Sequence, residues 1–233
     1  MGKQDRVPGR RLGVASVAML VLGALLGCVG GLGGYFFMPT KVIPSDHMRP
    51  TLTTGSSVVF NLLTVKVNRG DVVLFDASAW GEQHQSVERV VAVGGDHIAY
   101  TPGDRTLTLN GKPLDEPYVL NGDPVAGSPG PFSVTVPKGR LFVLGDNRGN
   151  SADSRFRFQD SESGTVPLSD VNGALVDQGD PLLVGLRSAA LAGLAVLCAG
   201  ALFGAVALRL RRRAAAAAAV HPAYAGLVPP PGG

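Results

Sequence analysis

Ser45 and His47, in "IPSDHMRPTL" at 43–52, stand two residues apart, so an extended loop would project both toward one face. A hydroxyl beside an imidazole is half of a hydrolytic site: the oxygen attacks a carbonyl carbon while a ring nitrogen takes its proton. A third group must then hold the ring. Acids and polar groups crowd "GDNRGNSADSR" at 145–155, where Asp146, Asn147 and Arg148 could be catalytic by composition alone. Asp and Asn beside glycine also set turn geometry, which is the stronger expectation for this stretch. His47, His84 and Glu88 could be imagined as metal ligands, but their spacing fits no defensible site, and no metal or other cofactor is expected.

These groups need a scaffold, and residues 41–184 supply short apolar or alternating runs cut by turn residues: "SSVVFNLL", "GDVVLFD", "RVVAV", "LTLNG" and "GRLFVLGD". The pattern predicts a mainly β domain of coiled antiparallel sheet with function carried on loops. "TLTLNGKPL" places Asn-Gly between two strand-like segments, a hairpin signal. "RGDVV" reads as a turn entering a strand. Trp80, in "FDASAW", is expected either at a bilayer surface or half-buried in the domain.

The 233 residues are 45% hydrophobic, room for one sizeable domain plus membrane segments. No charge occurs from Leu12 to Thr40, more than the roughly 20 apolar residues a bilayer needs, and longer than the core of about 7 to 15 residues of a cleaved signal peptide. A second charge-free run, Ser188 to Leu208, ends in "RLRRR". Arg6, Arg10 and Arg11 precede the first run, so basic residues flank both spans on one side and the positive-inside rule puts both termini in the cytoplasm. The expected order is a cytoplasmic N-terminus at 1–11, a transmembrane helix at 12–38, an extracytoplasmic β domain at 39–184, a transmembrane helix at 186–208, and a basic, Ala/Pro-rich cytoplasmic tail at 209–233 whose Pro/Gly end is disordered. Localisation is then the plasma membrane, multi-pass, with membrane lipid as a partner. The net charge of +3 is bunched at the chain ends, which excludes a nucleic-acid face. Cys28 and Cys198 both lie in apolar runs and imply no disulfide framework.

"PSDHMRPTL", "RGDVVLFD", "ERVVAVGGDHI", "LNGKPLDEPYV" and "VPKGRLFVLGDNRGNSADSR" follow one another directly after the first span. In that order they resemble the type I signal peptidase family, bacterial serine endopeptidases that remove signal peptides from exported proteins. The resemblance covers most of residues 41–175 and implies a signal-peptidase-like β domain flanked by two transmembrane helices. It also implies a nucleophilic serine just before the methionine of the first segment and a lysine base just before Arg-Val-Val. Those positions hold His47 and Glu88. By the same resemblance Ser45 occupies an oxyanion-hole position, Ser151 that of a serine orienting the base, and Asp153 and Arg155 those of a pair bracing the site.

Histidine has no hydroxyl, and none of the four ectodomain lysines, Lys41, Lys66, Lys112 and Lys138, stands at the base position. Cleavage by the family route is therefore expected to be absent or weak, while an extended peptide could still pair with a strand edge. If loop and strand meet as in the family, His47 and Glu88 would be neighbours. Two readings follow: an ion pair in a pseudoenzyme, or a rearranged hydrolase in which Ser45 attacks, His47 is its base and Glu88 orients the ring. Expected partners are signal peptides of exported proteins or an active paralogue. A structural envelope docking protein is the remaining alternative.

Overall fold

A computed structural model describes residues 9–63, 66–127, 130–160, 162–177 and 179–224. Arg6 and the Pro/Gly end lie outside the described residues. The described residues fall into two compact units, one within 9–35 and 181–224 and the other within 36–180.

The second unit is built of antiparallel strands: β1 (Thr40–Val42), β2 (Ser57–Asn61), β3 (Val72–Asp76), β4 (Gln85–Val93), β5 (His97–Tyr100), β6 (Thr108–Leu109), β7 (Lys112–Pro113), β8 (Phe132–Thr135), β9 (Arg140–Leu144), β10 (Val166–Pro167) and β11 (Val171–Leu175). Seven form a sheet in the order β1-β2-β11-β3-β4-β9-β10, and four a smaller one in the order β7-β6-β5-β8. The mainly β architecture expected from the sequence is the one observed. Asn110 and Gly111 both take positive φ, 53° and 76°, as the tight turn between β6 and β7 requires, so the Asn-Gly signal marks a real hairpin.

Burial explains why some strands read as continuous apolar runs and others as alternating ones. Along β3, Val73 and Phe75 enter one core cluster while Val72 and Leu74 enter another. Along β9, Leu141 and Val143 join the first cluster and Phe142 and Leu144 a third. Both faces of these strands are covered, so both must be apolar. β8, at an edge of the smaller sheet, buries Phe132 and Val134 and exposes Ser133 and Thr135. Phe142 is fully buried and stacks on Phe132 with centroids 5.7 Å apart; such a side chain contributes about 2 to 3 kcal/mol by burial.

Trp80 is a core residue. It packs edge-on against Phe75 at 5.2 Å, its indole N–H donates to the Gly164 carbonyl at 3.1 Å, and it belongs to the core.

The other unit pairs α1 (Arg10–Phe37) with α2 (Pro181–Tyr224), each long and apolar enough to cross a membrane. Gly23, and Gly30 within "GCVGGLGG", make this pairing possible. A Cβ on Gly30 would come within 2.4 Å of the Ala190 nitrogen, and one on Gly23 within 2.8 Å of the Gly193 carbonyl oxygen. Ser16 Oγ donates to the Gly200 carbonyl at 2.8 Å. Backbone approaches backbone along a small-residue seam, the packing that helices use where lipid offers no hydrophobic drive.

Candidate active site

The loop after β1 is anchored by two buried side chains, Ile43 and Met48, and between them Ser45 is extended and exposed at the mouth of a short 3-10 turn, Asp46–Met48. Asn147 clamps that turn: its backbone N–H donates to the His47 carbonyl at 2.9 Å and its side-chain amide to the Asp46 carbonyl at 3.0 Å. Thr54 Oγ1 donates to the Asp46 carboxylate at 2.7 Å from the other side. The backbone at residue 47 is therefore fixed independently of its side chain.

The imidazole of His47 has two partners, Ser45 Oγ at Nδ1, 2.6 Å away, and the Val87 carbonyl oxygen at Nε2, 2.8 Å away. Strand register explains why that carbonyl is open. Val90 N–H donates to Asp71 O, so alternation turns the backbone groups of 90, 88 and 86 toward β3 and those of 89, 87 and 85 away from it. On that far side β9 pairs with β4 only from Arg89 onward. Val87 thus lies on an edge with no strand partner among the described residues, and the histidine ring reaches across to cap it. Lys41 Nζ bridges the same gap at Gln85 Oε1, 3.3 Å away.

Glu88 faces elsewhere. It is 3% exposed and accepts from Ser151 Oγ at 3.3 and 3.4 Å. Burial, reinforced by the negative charge of Asp153, pushes its carboxyl well above the ordinary value near 4.5, so the site favours the protonated acid. The expected ion pair with His47 does not form: among the described residues neither imidazole nitrogen contacts Glu88. Both ring nitrogens are already occupied, and a carboxyl held toward its neutral form offers a cation little. For the same reason the structure does not bring Ser45, His47 and Glu88 into one chain of hydrogen bonds; Ser45 and His47 are joined, and Val87's carbonyl takes the third place. His84 is exposed and pairs with Glu82 at 3.1 Å, so it does not join His47 and Glu88.

Behind Glu88 lies a dry network of charges. Asp153 and Arg155, both fully buried, bond at 2.9 and 3.0 Å; Asp153 also accepts from Gly145 N–H, and Arg155 donates to the carbonyls of Arg148 and Ala126. Arg148 pairs with Glu116 and donates to the Gly145 carbonyl at 2.9 Å. Arg89 grips Asp146 through two bonds of 2.7 and 2.6 Å, with Tyr118 stacked 4.1 Å from its guanidinium. Asn147 and Arg148 are spent on holding the backbone, in keeping with their turn reading, while Asp146 holds the Arg89 and Thr51 side chains.

Gly145 is a residue that sequence reasoning missed. A Cβ there would sit 2.5 Å from Ser151 Cβ and Oγ and 2.8 Å from the His47 carbonyl oxygen. The loop bearing residue 47 and the serine facing residue 88 meet over this one hydrogen. The signal available was a glycine closing the apolar run "LFVL". Lys41 donates to the Gln85 side-chain amide oxygen.

Comparison with known proteins is consistent in one direction. The family described as "Signal peptidase, peptidase S26" matches residues 14–176. A probable signal peptidase I of Mycobacterium leprae is 35% identical, covering 61% of this chain and 70% of the relative. Signal peptidase IB of Staphylococcus aureus strain N315 is 36% identical, covering 52% and 70%. The crystal structure of a signal peptidase I from Enterococcus faecalis V583 is 29% identical with a TM-score of 0.37, covering 48% of this chain and 97% of that one.

Proposed function

The chain belongs to the signal peptidase family, peptidase S26, and on that premise we propose that it is a membrane-anchored homologue that holds signal-peptide segments without cleaving them by the serine/lysine route. The observation that carries this reading is Glu88. The place of the base holds a buried carboxyl hydrogen-bonded to Ser151 and held toward its neutral form, and residue 47 offers no hydroxyl for any base to activate.

The free edge of β4 at 85–87, facing the loop at 41–45, supports peptide retention, because an extended segment can add backbone hydrogen bonds there. His47 competes for one of them at Val87. Arg10 and Arg11 in the first turn of α1, and the arginines at 209 and 211–213, favour cytoplasmic termini with the β domain outside, where exported chains emerge. A partner role beside an active paralogue fits the same surface.

The test uses the full chain in detergent and a fluorescent signal peptide with a small-residue cleavage site. Expected is saturable binding by anisotropy with the peptide intact by mass spectrometry. Cleavage at the small-residue site, lost in Glu88→Ala, would overturn the reading.

A further inference from the structure

We propose that Ser45 and His47 form a serine–histidine dyad, oriented by the Val87 backbone carbonyl, that takes acyl groups from activated esters onto Ser45 Oγ. This goes beyond the peptide-holding reading and does not rest on it.

The proton positions follow from the partners. A carbonyl oxygen can only accept, so the 2.8 Å contact to Val87 O fixes the hydrogen on Nε2. Nδ1 is then a bare lone pair in the neutral ring, and the Ser45 hydroxyl, 2.6 Å away, must donate to it. That is the ground-state arrangement of a base-activated nucleophile: hydroxyl, imidazole, and an acceptor that fixes the tautomer. The nucleophile is also reachable, since Ser45 is exposed while His47 is half-buried. Rigidity comes from Asn147, whose two bonds to the carbonyls of 46 and 47 hold the turn, and from a strand carbonyl that cannot rotate away.

Oγ bonds to the acyl carbon as its proton passes to Nδ1; the carbon–oxygen bond to the leaving group then breaks, and the departing alkoxide or phenolate takes that proton. Water attacks the Ser45 ester, gives one proton to Nδ1 and releases the acid, and Nδ1 returns the proton to Oγ. The sum is ester plus water giving acid plus alcohol. A neutral carbonyl steadies the imidazolium less than a carboxylate does, so the chemistry suits esters with phenol-like leaving groups rather than amides.

An alkyl fluorophosphonate reports on Ser45 directly, because attack forms an oxygen–phosphorus bond and expels fluoride. The full chain in detergent is incubated with the probe, and the site and rate are read by peptide mapping and mass spectrometry. A single adduct on Ser45 is expected, absent in Ser45→Ala and slowed about 100-fold or more in His47→Gln, which keeps a polar side chain but removes the base. Ser45→Cys supplies a second measurement, since its thiol should react with iodoacetamide faster when His47 is present than in the His47→Gln background. Labelling on another residue, no labelling, or equal rates with and without the imidazole in both measurements would overturn the dyad. Peptide anisotropy is read in parallel on the unsubstituted full chain, so that binding without labelling overturns the dyad alone and labelling without binding overturns the peptide-holding reading alone.

Discussion

The two sides of the cleft are built on opposite principles. On the inner side, Asp153, Arg155, Arg148 and Asp146 are buried with their charges matched; the first three also bond named backbone groups, and Asp146 is held by the Arg89 and Thr51 side chains. On the outer side, Ser45, His47 and Val87 meet at an exposed loop and an unpaired strand edge. A buried ion pair cannot lose one partner without stranding the other in a medium that solvates it poorly, whereas a loop side chain can change as long as its backbone stays clamped. The inner network therefore fixes the frame, and Ser45 and His47 hang on the clamped loop beside it.

That contrast is tested hardest by restoring the pair. If the inner network still shapes the family cleft, His47→Ser combined with Glu88→Lys should cleave a signal peptide on the order of 10⁴-fold faster than either single variant, because nucleophile and base act as a unit. Gel and mass analysis of the product decide it, and a double variant no faster than the singles would place the difference in the frame itself. Attacking the frame instead should cost stability. Asp153→Ala leaves Arg155 fully buried without its carboxylate and removes the acceptor of Gly145 N–H, for a loss of about 3–5 kcal/mol in chemical unfolding. A loss below about 1 kcal/mol would mean the network is dispensable.

The inner side was more legible in the sequence than the outer one. "GDNRGNSADSR" concentrates so many polar groups after a buried strand that a fixed turn is the economical reading, and Asn110–Gly111 announces its hairpin by conformational need alone. The continuous apolar runs of β3 and β9 likewise follow from burial on both faces. What did not follow was the destination of the His47 ring. It depends on β9 ceasing to pair with β4 at Arg89, a register fixed by strands more than fifty residues apart, and on alternation turning Val87 rather than Glu88 toward the gap. Local spacing carries no such information. The opposition of charges between 47 and 88 suggested an ion pair because charge is read from residue type, while burial, which cancels it, is read only from the fold.

Between the two sides stands Gly145, and it should be intolerant of even a methyl group. The added Cβ in Gly145→Ala would meet the Ser151 side chain and the His47 carbonyl together, and since Asn147 clamps the latter, relief requires moving the loop. A destabilisation near 3 kcal/mol is expected, with weaker labelling of Ser45 by an acylating probe. Unchanged stability and labelling would show that the loop yields freely, contrary to a clamp.

The smallest expected effect has the opposite sign and discriminates best between a frame and a reaction centre. Glu88 is retained at a cost: the folded protein holds its proton to higher pH than the unfolded chain does, where the carboxyl ionises near its ordinary 4.5. Between those two values the folded state binds more protons, so this group's effect on stability is fully favourable below pH 4.5 and declines as pH rises, by up to about 1.4 kcal/mol per unit until the folded carboxyl itself ionises. Glu88→Gln keeps a Ser151 partner and cannot ionise. It should therefore match the parent near pH 4 and become the more stable of the two as pH rises toward 7, read as the difference between two unfolding curves at each pH so that all other titrations cancel. A variant less stable than the parent at pH 7 would mean that Glu88 is charged and paired in the folded state, and the inner side would then contain a carboxylate able to act as a base.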